Sequence, residues 1–142
     1  VLDCQFAINS PNDKESSVRG PHVDSADEIL AGLLYMPVAG DTAGGDLVLY
    51  KWKDGVERKL HGKAEIDPAL VEPFATVGYE PNTLIVFRNG LDAVHGISER
   101  KPSPHPRRYI NFVLNANKPV AWEMPKPKPA GNPPPEDAGE PL

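Results

Sequence analysis

The sequence holds only one cysteine, Cys4, in 142 residues. That excludes an internal disulfide framework and leans toward an intracellular setting. Long apolar runs are missing too. No stretch approaches the ~20 residues a membrane helix needs, so no membrane partner is expected. Positive charge is the minority sign, with 15 Lys plus Arg against 20 Asp plus Glu and a formal net charge of -5. This balance argues against a broad nucleic-acid backbone binder. The length fits one domain. The chain starts at Val1 without a methionine or a signal-like segment, and reads as an excerpt or a processed product.

Proline is what the chain has in excess, with 17 residues, and eight of them fall in 119–142. That tail has almost no bulky apolar side chains beyond Trp122, Met124 and Leu142. It cannot bury enough surface to offset its ordering entropy, so an extended or disordered arm is expected there. Trp122 and Met124 are candidates to pack back on the domain. Residues 1–118 carry short apolar runs: Leu2 to Ile8, Ile29 to Met36, Asp46 to Trp52, Phe74 to Tyr79, Thr83 to Phe87, Ala93 to Ser98 and Tyr109 to Leu114. Turn signals separate them, among them Pro81-Asn82, Asn89-Gly90 and the Pro102 to Pro106 stretch. Helical turns are expected only near Ser25 to Glu28 and Pro68 to Glu72. Seven or eight short strands and so little helix predict an all-β sandwich or jelly roll.

Several polar residues do not fit a plain β core. His22 and Asp24 form His-Val-Asp, and on a strand they share one face while Val23 takes the other. His95 sits in Ala-Val-His-Gly-Ile, among apolar neighbours. Two imidazoles and one carboxylate, with open positions left on the ion, are the ligand set of non-haem Fe(II) oxygenases. Each residue also has a plainer reading, as a loop-edge pair for His22 and Asp24 and as a hydrogen-bonded core histidine for His95. His61 and His105 sit in polar or proline-rich surroundings and read as surface residues. In Pro106-Arg107-Arg108-Tyr109-Ile110-Asn111-Phe112, alternation puts Arg108 with Ile110 and Phe112. If the apolar side faces the lumen, Arg108 faces it as well. A buried guanidinium needs a carboxylate partner, and a ligand acid is a natural one. Arg107 takes that place if the register slips by one. Tyr35 could add a phenolic donor to the bound acid, or be a half-buried sheet tyrosine.

Taken in order, Gly20-Pro21-His22-Val23-Asp24, Leu33-Leu34-Tyr35-Met36, Gly44-Gly45-Asp46-Leu47, Pro81-Asn82-Thr83-Leu84-Ile85-Val86-Phe87, His95-Gly96-Ile97 and Arg108-Tyr109-Ile110 resemble the 2-oxoglutarate and Fe(II)-dependent dioxygenases. The likeness covers roughly residues 20–116 and is nearest the prolyl-hydroxylase-like group, with Arg where that group places Lys. It implies a double-stranded β-helix, a cupin-like jelly roll. It also implies Fe(II) held by His22, Asp24 and His95, and 2-oxoglutarate anchored by Arg108 with help from Tyr35. O2 would be consumed, succinate and CO2 released, and a small molecule or peptide hydroxylated, with peptidyl proline among the candidates. Residues 1–118 would then be the catalytic core, short of the N-terminal bracing usual in the family, and 119–142 the proline-rich tail. Two other readings stay open: a cupin-like metal enzyme that does not use 2-oxoglutarate, and a non-enzymatic β interaction module with a proline-rich arm. The polar segments 9–20 and 53–72 are candidate rim loops.

Overall fold

The computed structural model describes residues 1–16, 19–60 and 64–122. His61, Met124 and the tail from 123 onward lie outside the described residues. Seven strands form: β1 (Leu2–Asn9), β2 (Glu28–Tyr35), β3 (Leu47–Trp52), β4 (Val71–Val77), β5 (Leu84–Arg88), β6 (His95–Ile97) and β7 (Arg107–Asn115). The expected turn at Pro68 is a single 3-10 turn, Pro68–Leu70, whose Asp67 side chain accepts the Ala69 N–H at 2.8 Å. All named strand pairs are antiparallel. One sheet has the order β1-β7-β2-β5 and the other β4-β3-β6. The architecture is all-β and jelly-roll-like, as the strand spacing predicts.

The smaller sheet is longer in practice than its three strands. His22 bridges both His95 of β6 and Glu65, although His22 and Asp24 lie in extended chain outside any named strand. Val23 N–H donates to the Ala64 carbonyl at 3.0 Å, and Ile66 N–H to the Pro21 carbonyl at 2.9 Å. Pro73 lacks an N–H, but β4 is an edge strand and the register shifts between Leu49 and Tyr50 opposite it. Two apolar clusters flank the interior. Val23, Trp52, Leu60, Ile66, Val71 and Val94 form one; Tyr35, Leu47 and Tyr79 form the other.

The larger sheet reverses the usual sidedness. In register, Phe6 faces Ile110, Cys4 faces Phe112, and Leu34 pairs with both Ile110 and Leu84. These residues share the outer face, where Leu2, Phe6, Ile8, Leu84 and Val86 are each at least half exposed. The inner face carries Ala31, Leu33, Tyr109, Asn111 and Val113, and these line a cavity.

A buried ion pair fastens the loop before β3 to the chain before β7. Arg100 Nη2 donates to Asp41 Oδ2 at 2.7 Å and to the His105 carbonyl at 3.0 Å, while Nη1 reaches the Gly44 carbonyl at 3.0 Å. Removing one partner of such a pair leaves the other charge buried without compensation. Asp41→Ala is therefore expected to lower the unfolding free energy by about 3–5 kcal/mol, read as a lower denaturant midpoint at constant slope. Lys51→Ala breaks an exposed pair with Glu72 and is expected to leave the midpoint nearly unchanged.

Candidate metal centre

His22 and His95 are brought together by backbone pairing. Each donates its N–H to the other's carbonyl at 2.9 Å. Residues exchanging both bonds sit directly opposite and present their side chains on one face. The two ring centroids are 4.2 Å apart. Val23, between the ligands of the His-Val-Asp segment, turns the other way and is fully buried. Gly96 permits the close approach of the two chains, since a Cβ there would lie 2.9 Å from the Gly20 carbonyl oxygen.

Both rings are held the same way. His22 Nδ1 lies 2.8 Å from the Gly20 carbonyl and His95 Nδ1 lies 2.9 Å from the Ala93 carbonyl. With the proton on Nδ1, each Nε2 keeps its lone pair free. Those Nε2 atoms are 3.9 and 3.6 Å from Asp24 Oδ1, too far for hydrogen bonds. One potential donor atom from each residue lies within 4.8 Å of the others.

The electrostatics of this cluster suit a cation. Burial, reinforced by His95, lowers the His22 pKa to about 4, so the ring is neutral near pH 7. Burial also pushes the Asp24 carboxyl upward, against the influence of His95 and Arg19. Asp24 Oδ2 is buried and has no hydrogen-bond partner. Two imidazole nitrogens and a carboxylate form a borderline N/N/O donor set that fits a first-row divalent ion. The Trp122 indole N–H donates to the Asp24 carbonyl at 3.0 Å and fixes the backbone under this ligand.

A cavity of about 270 Å³ opens beside the cluster, and Arg107, Tyr109 and Asn111 of β7 share its wall with His22, Asp24 and His95. Here the expectation for Arg108 is corrected. The Arg108 side chain lies outward, where Nε donates to the Met36 carbonyl at 3.1 Å. The guanidinium that enters the interior is that of Arg107, 2% exposed. The premise that failed was that the apolar side of β7 faces the lumen; Ile110 and Phe112 belong to the outer face, and Arg108 goes with them.

Arg107 sits among three phenol rings, with Cζ 5.1, 5.0 and 4.7 Å from the centroids of Tyr35, Tyr79 and Tyr109. Its Nε donates to the Gly45 carbonyl at 3.1 Å. Gly45 has φ +87°, and a Cβ there would lie 3.1 Å from that Nε, so glycine is what lets the loop close over the side chain. Among the described residues neither Arg107 Nη2 nor the Tyr35 hydroxyl makes a hydrogen bond of ordinary geometry, although the guanidinium and the phenol interact weakly with each other. Tyr35 is fully buried beside the guanidinium, behind the cavity wall rather than on it. Burial pushes its phenol up to about 12 despite the neighbouring positive charge.

Other expectations resolve simply. Trp52 is a core residue, its N–H given to the Leu91 carbonyl at 2.7 Å. Tyr79 escaped the sequence reading as a site residue. It closes the Arg107 box, and its hydroxyl donates to the Arg108 carbonyl at 3.0 Å. Only the apolar run ending at Tyr79 marked it. Arg19 and Glu28 also line the cavity, and Arg19 pairs with Glu65 at 3.2 Å.

No family model and no curated protein matches the chain. Among solved structures it is similar to a prolyl-4-hydroxylase from Pseudomonas putida, at 20% identity and a TM-score of 0.46. The match covers 82% of this chain and 52% of that one, so the chain spans about half the length of that protein.

Titration with Co(II), a coloured stand-in for a first-row ion, is expected to give one site per chain. Asp24→Ala and His95→Ala should each weaken it by at least about 100-fold, more than the loss of an outer hydrogen bond would.

Proposed function

We propose that this chain is the core of a non-haem Fe(II) oxygenase that uses 2-oxoglutarate and O2, releases succinate and CO2, and hydroxylates an organic substrate. The observation that carries this reading is the buried guanidinium of Arg107, lacking a carboxylate partner, on the wall of the cavity that also holds His22, Asp24 and His95. A metal site alone needs no such cation, and a diacid co-substrate does.

In this reading His22, Asp24 and His95 hold the iron, which supplies the redox chemistry for O2 activation when bound. The protein's own part is binding and shielding. Arg107 donates to the far carboxylate of 2-oxoglutarate through the Nη2 that has no internal partner. The rings of Tyr35, Tyr79 and Tyr109 keep the guanidinium from swinging away. The Tyr35 phenol, its pKa pushed up to about 12 by burial, stays protonated behind the cavity wall and backs the guanidinium. A cavity of about 270 Å³ is large enough for a five-carbon diacid. Overall, 2-oxoglutarate, O2 and a C–H bond become succinate, CO2 and an alcohol, which balances without a further reductant. A cupin-like metal site without 2-oxoglutarate accounts for the three ligands but leaves Arg107 unexplained.

Anaerobic calorimetry with Fe(II) and 2-oxoglutarate tests the reading. Arg107→Ala is expected to weaken 2-oxoglutarate binding by at least about 100-fold, the scale for truncating one partner of a buried charge pair. Arg108→Ala should stay close to the parent protein. The reverse order, or no Fe(II)-dependent 2-oxoglutarate binding at all, would overturn it.

A further inference from the structure

A second, larger depression of about 850 Å³ shares His95 and Phe87 with the first, and no step proposed above uses it. Its lining includes Leu49, Tyr50, Phe74, Phe87, Val94 and Val120. Phe74 belongs to β4 and Phe87 to β5, each an edge strand of its own sheet, so the depression runs along the open side of the sandwich. Phe74 is 59% exposed and Val120 is 51% exposed. An apolar, aromatic-lined groove of this size is within the range that holds a ligand.

The described chain ends beside this groove. Val120 and Ala121 form part of its wall, and both donate their N–H groups to the Ala26 carbonyl, at 2.8 and 3.0 Å. Twenty residues follow Trp122, and seven are proline: Pro125, Pro127, Pro129, Pro133, Pro134, Pro135 and Pro141. A polyproline stretch rises about 3.1 Å per residue, so even eight residues reach roughly 25 Å, enough to run the length of a domain this size. Such segments dock in aromatic-lined grooves at low entropic cost, because their extended form is already populated. Tethering raises the effective concentration of the tail at the groove to about the millimolar range. A weak contact is then sufficient for occupancy.

We infer that the groove bounded by Tyr50, Phe74 and Phe87 is the docking site of the chain's own proline-rich tail. A docked tail lies beside His95, which is part of the groove's lining, and covers apolar surface that the folded domain leaves open. This inference needs neither the metal nor 2-oxoglutarate, so it stands or falls apart from the proposed activity.

The test uses the full chain without metal. A nitroxide is attached at Gly131→Cys in a Cys4→Ser background, and amide signals are compared with the reduced label. Signals of Glu72, Phe74, Ala75 and residues 88–94 are expected to lose at least half their intensity, while those of β1 on the far edge keep theirs. Phe74→Ser, at an exposed position, should restore the groove signals with the remaining amide spectrum unchanged. Replacing Pro133, Pro134 and Pro135 by serine should do the same. Three results would overturn the inference: full intensity at the groove, a loss that Phe74→Ser leaves in place, or an equal loss when the nitroxide is carried on a separate, isotopically silent copy. The last would make the groove a contact between two chains.

Discussion

The reciprocal backbone hydrogen bonds between His22 and His95 are the constraint around which the interior is arranged. They attach a segment outside any named strand to the end of β6 and put two imidazoles on one face. Val23, between the two sequence-adjacent ligands, is thereby driven into the cluster with Trp52 and Val94. Asp24 follows on the His22 side. The three candidate donors are thus positioned by ladder geometry and core burial rather than by long-range side-chain contacts. Their Nδ1 bonds to Gly20 and Ala93 are local, each to a carbonyl two residues back, so each ring is oriented by its own stretch of chain.

The cavity has an uncompensated carboxylate at Asp24 and an uncompensated guanidinium at Arg107. They do not neutralise each other, because no ion pair links them among the described residues. The three tyrosine faces around Arg107 offset part of its burial. Cation–π contacts are worth about 0.5–2 kcal/mol each, whereas taking a charge out of water costs several kcal/mol. The contrast with Arg100 is instructive. Arg100 is equally hidden, but Asp41 and two carbonyls satisfy it, and it behaves as a structural staple. Arg107 has one carbonyl and three rings, and an Nη2 left over. The same residue type, in two buried positions a few residues apart, is fully satisfied in one case and left with an unpartnered Nη2 in the other.

Strand positions were legible from the sequence because turn residues punctuate the chain at nearly every boundary. The His-Val-Asp and Val-His-Gly segments were legible because a polar side chain at a core-like position demands an explanation. The direction of β7 was not. Period-two alternation separates Arg107, Tyr109 and Asn111 from Arg108, Ile110 and Phe112, but it does not say which set is inside. The ordinary rule puts the apolar set inward. Here the inward set is polar because it lines a site, and the apolar set faces outward beside Phe6, Ile8 and Val86. Tyr79 was hidden for a related reason. Its role comes from contact with Arg107 and Arg108, nearly 30 residues on, which no local pattern encodes.

The segment after β7 joins this interior to the end of the described chain. Ala116 N–H donates to Asp27, Val120 and Ala121 to Ala26, and the Trp122 indole to Asp24. Four donors from residues 116–122 therefore hold three residues, Asp24, Ala26 and Asp27, of the loop that carries the Asp24 carboxylate. Trp122 also packs against the cluster containing Val23 and Trp52, which ties this strap to the core as well as to the loop. A carboxylate on an unsupported loop would turn to solvent and escape its desolvation penalty, since Asp24 has no side-chain hydrogen bond to keep it in. The strap denies it that escape. Val120 and Ala121 of this strap also line the apolar groove, so the groove wall and the loop that carries Asp24 share the hydrogen bonds to Ala26.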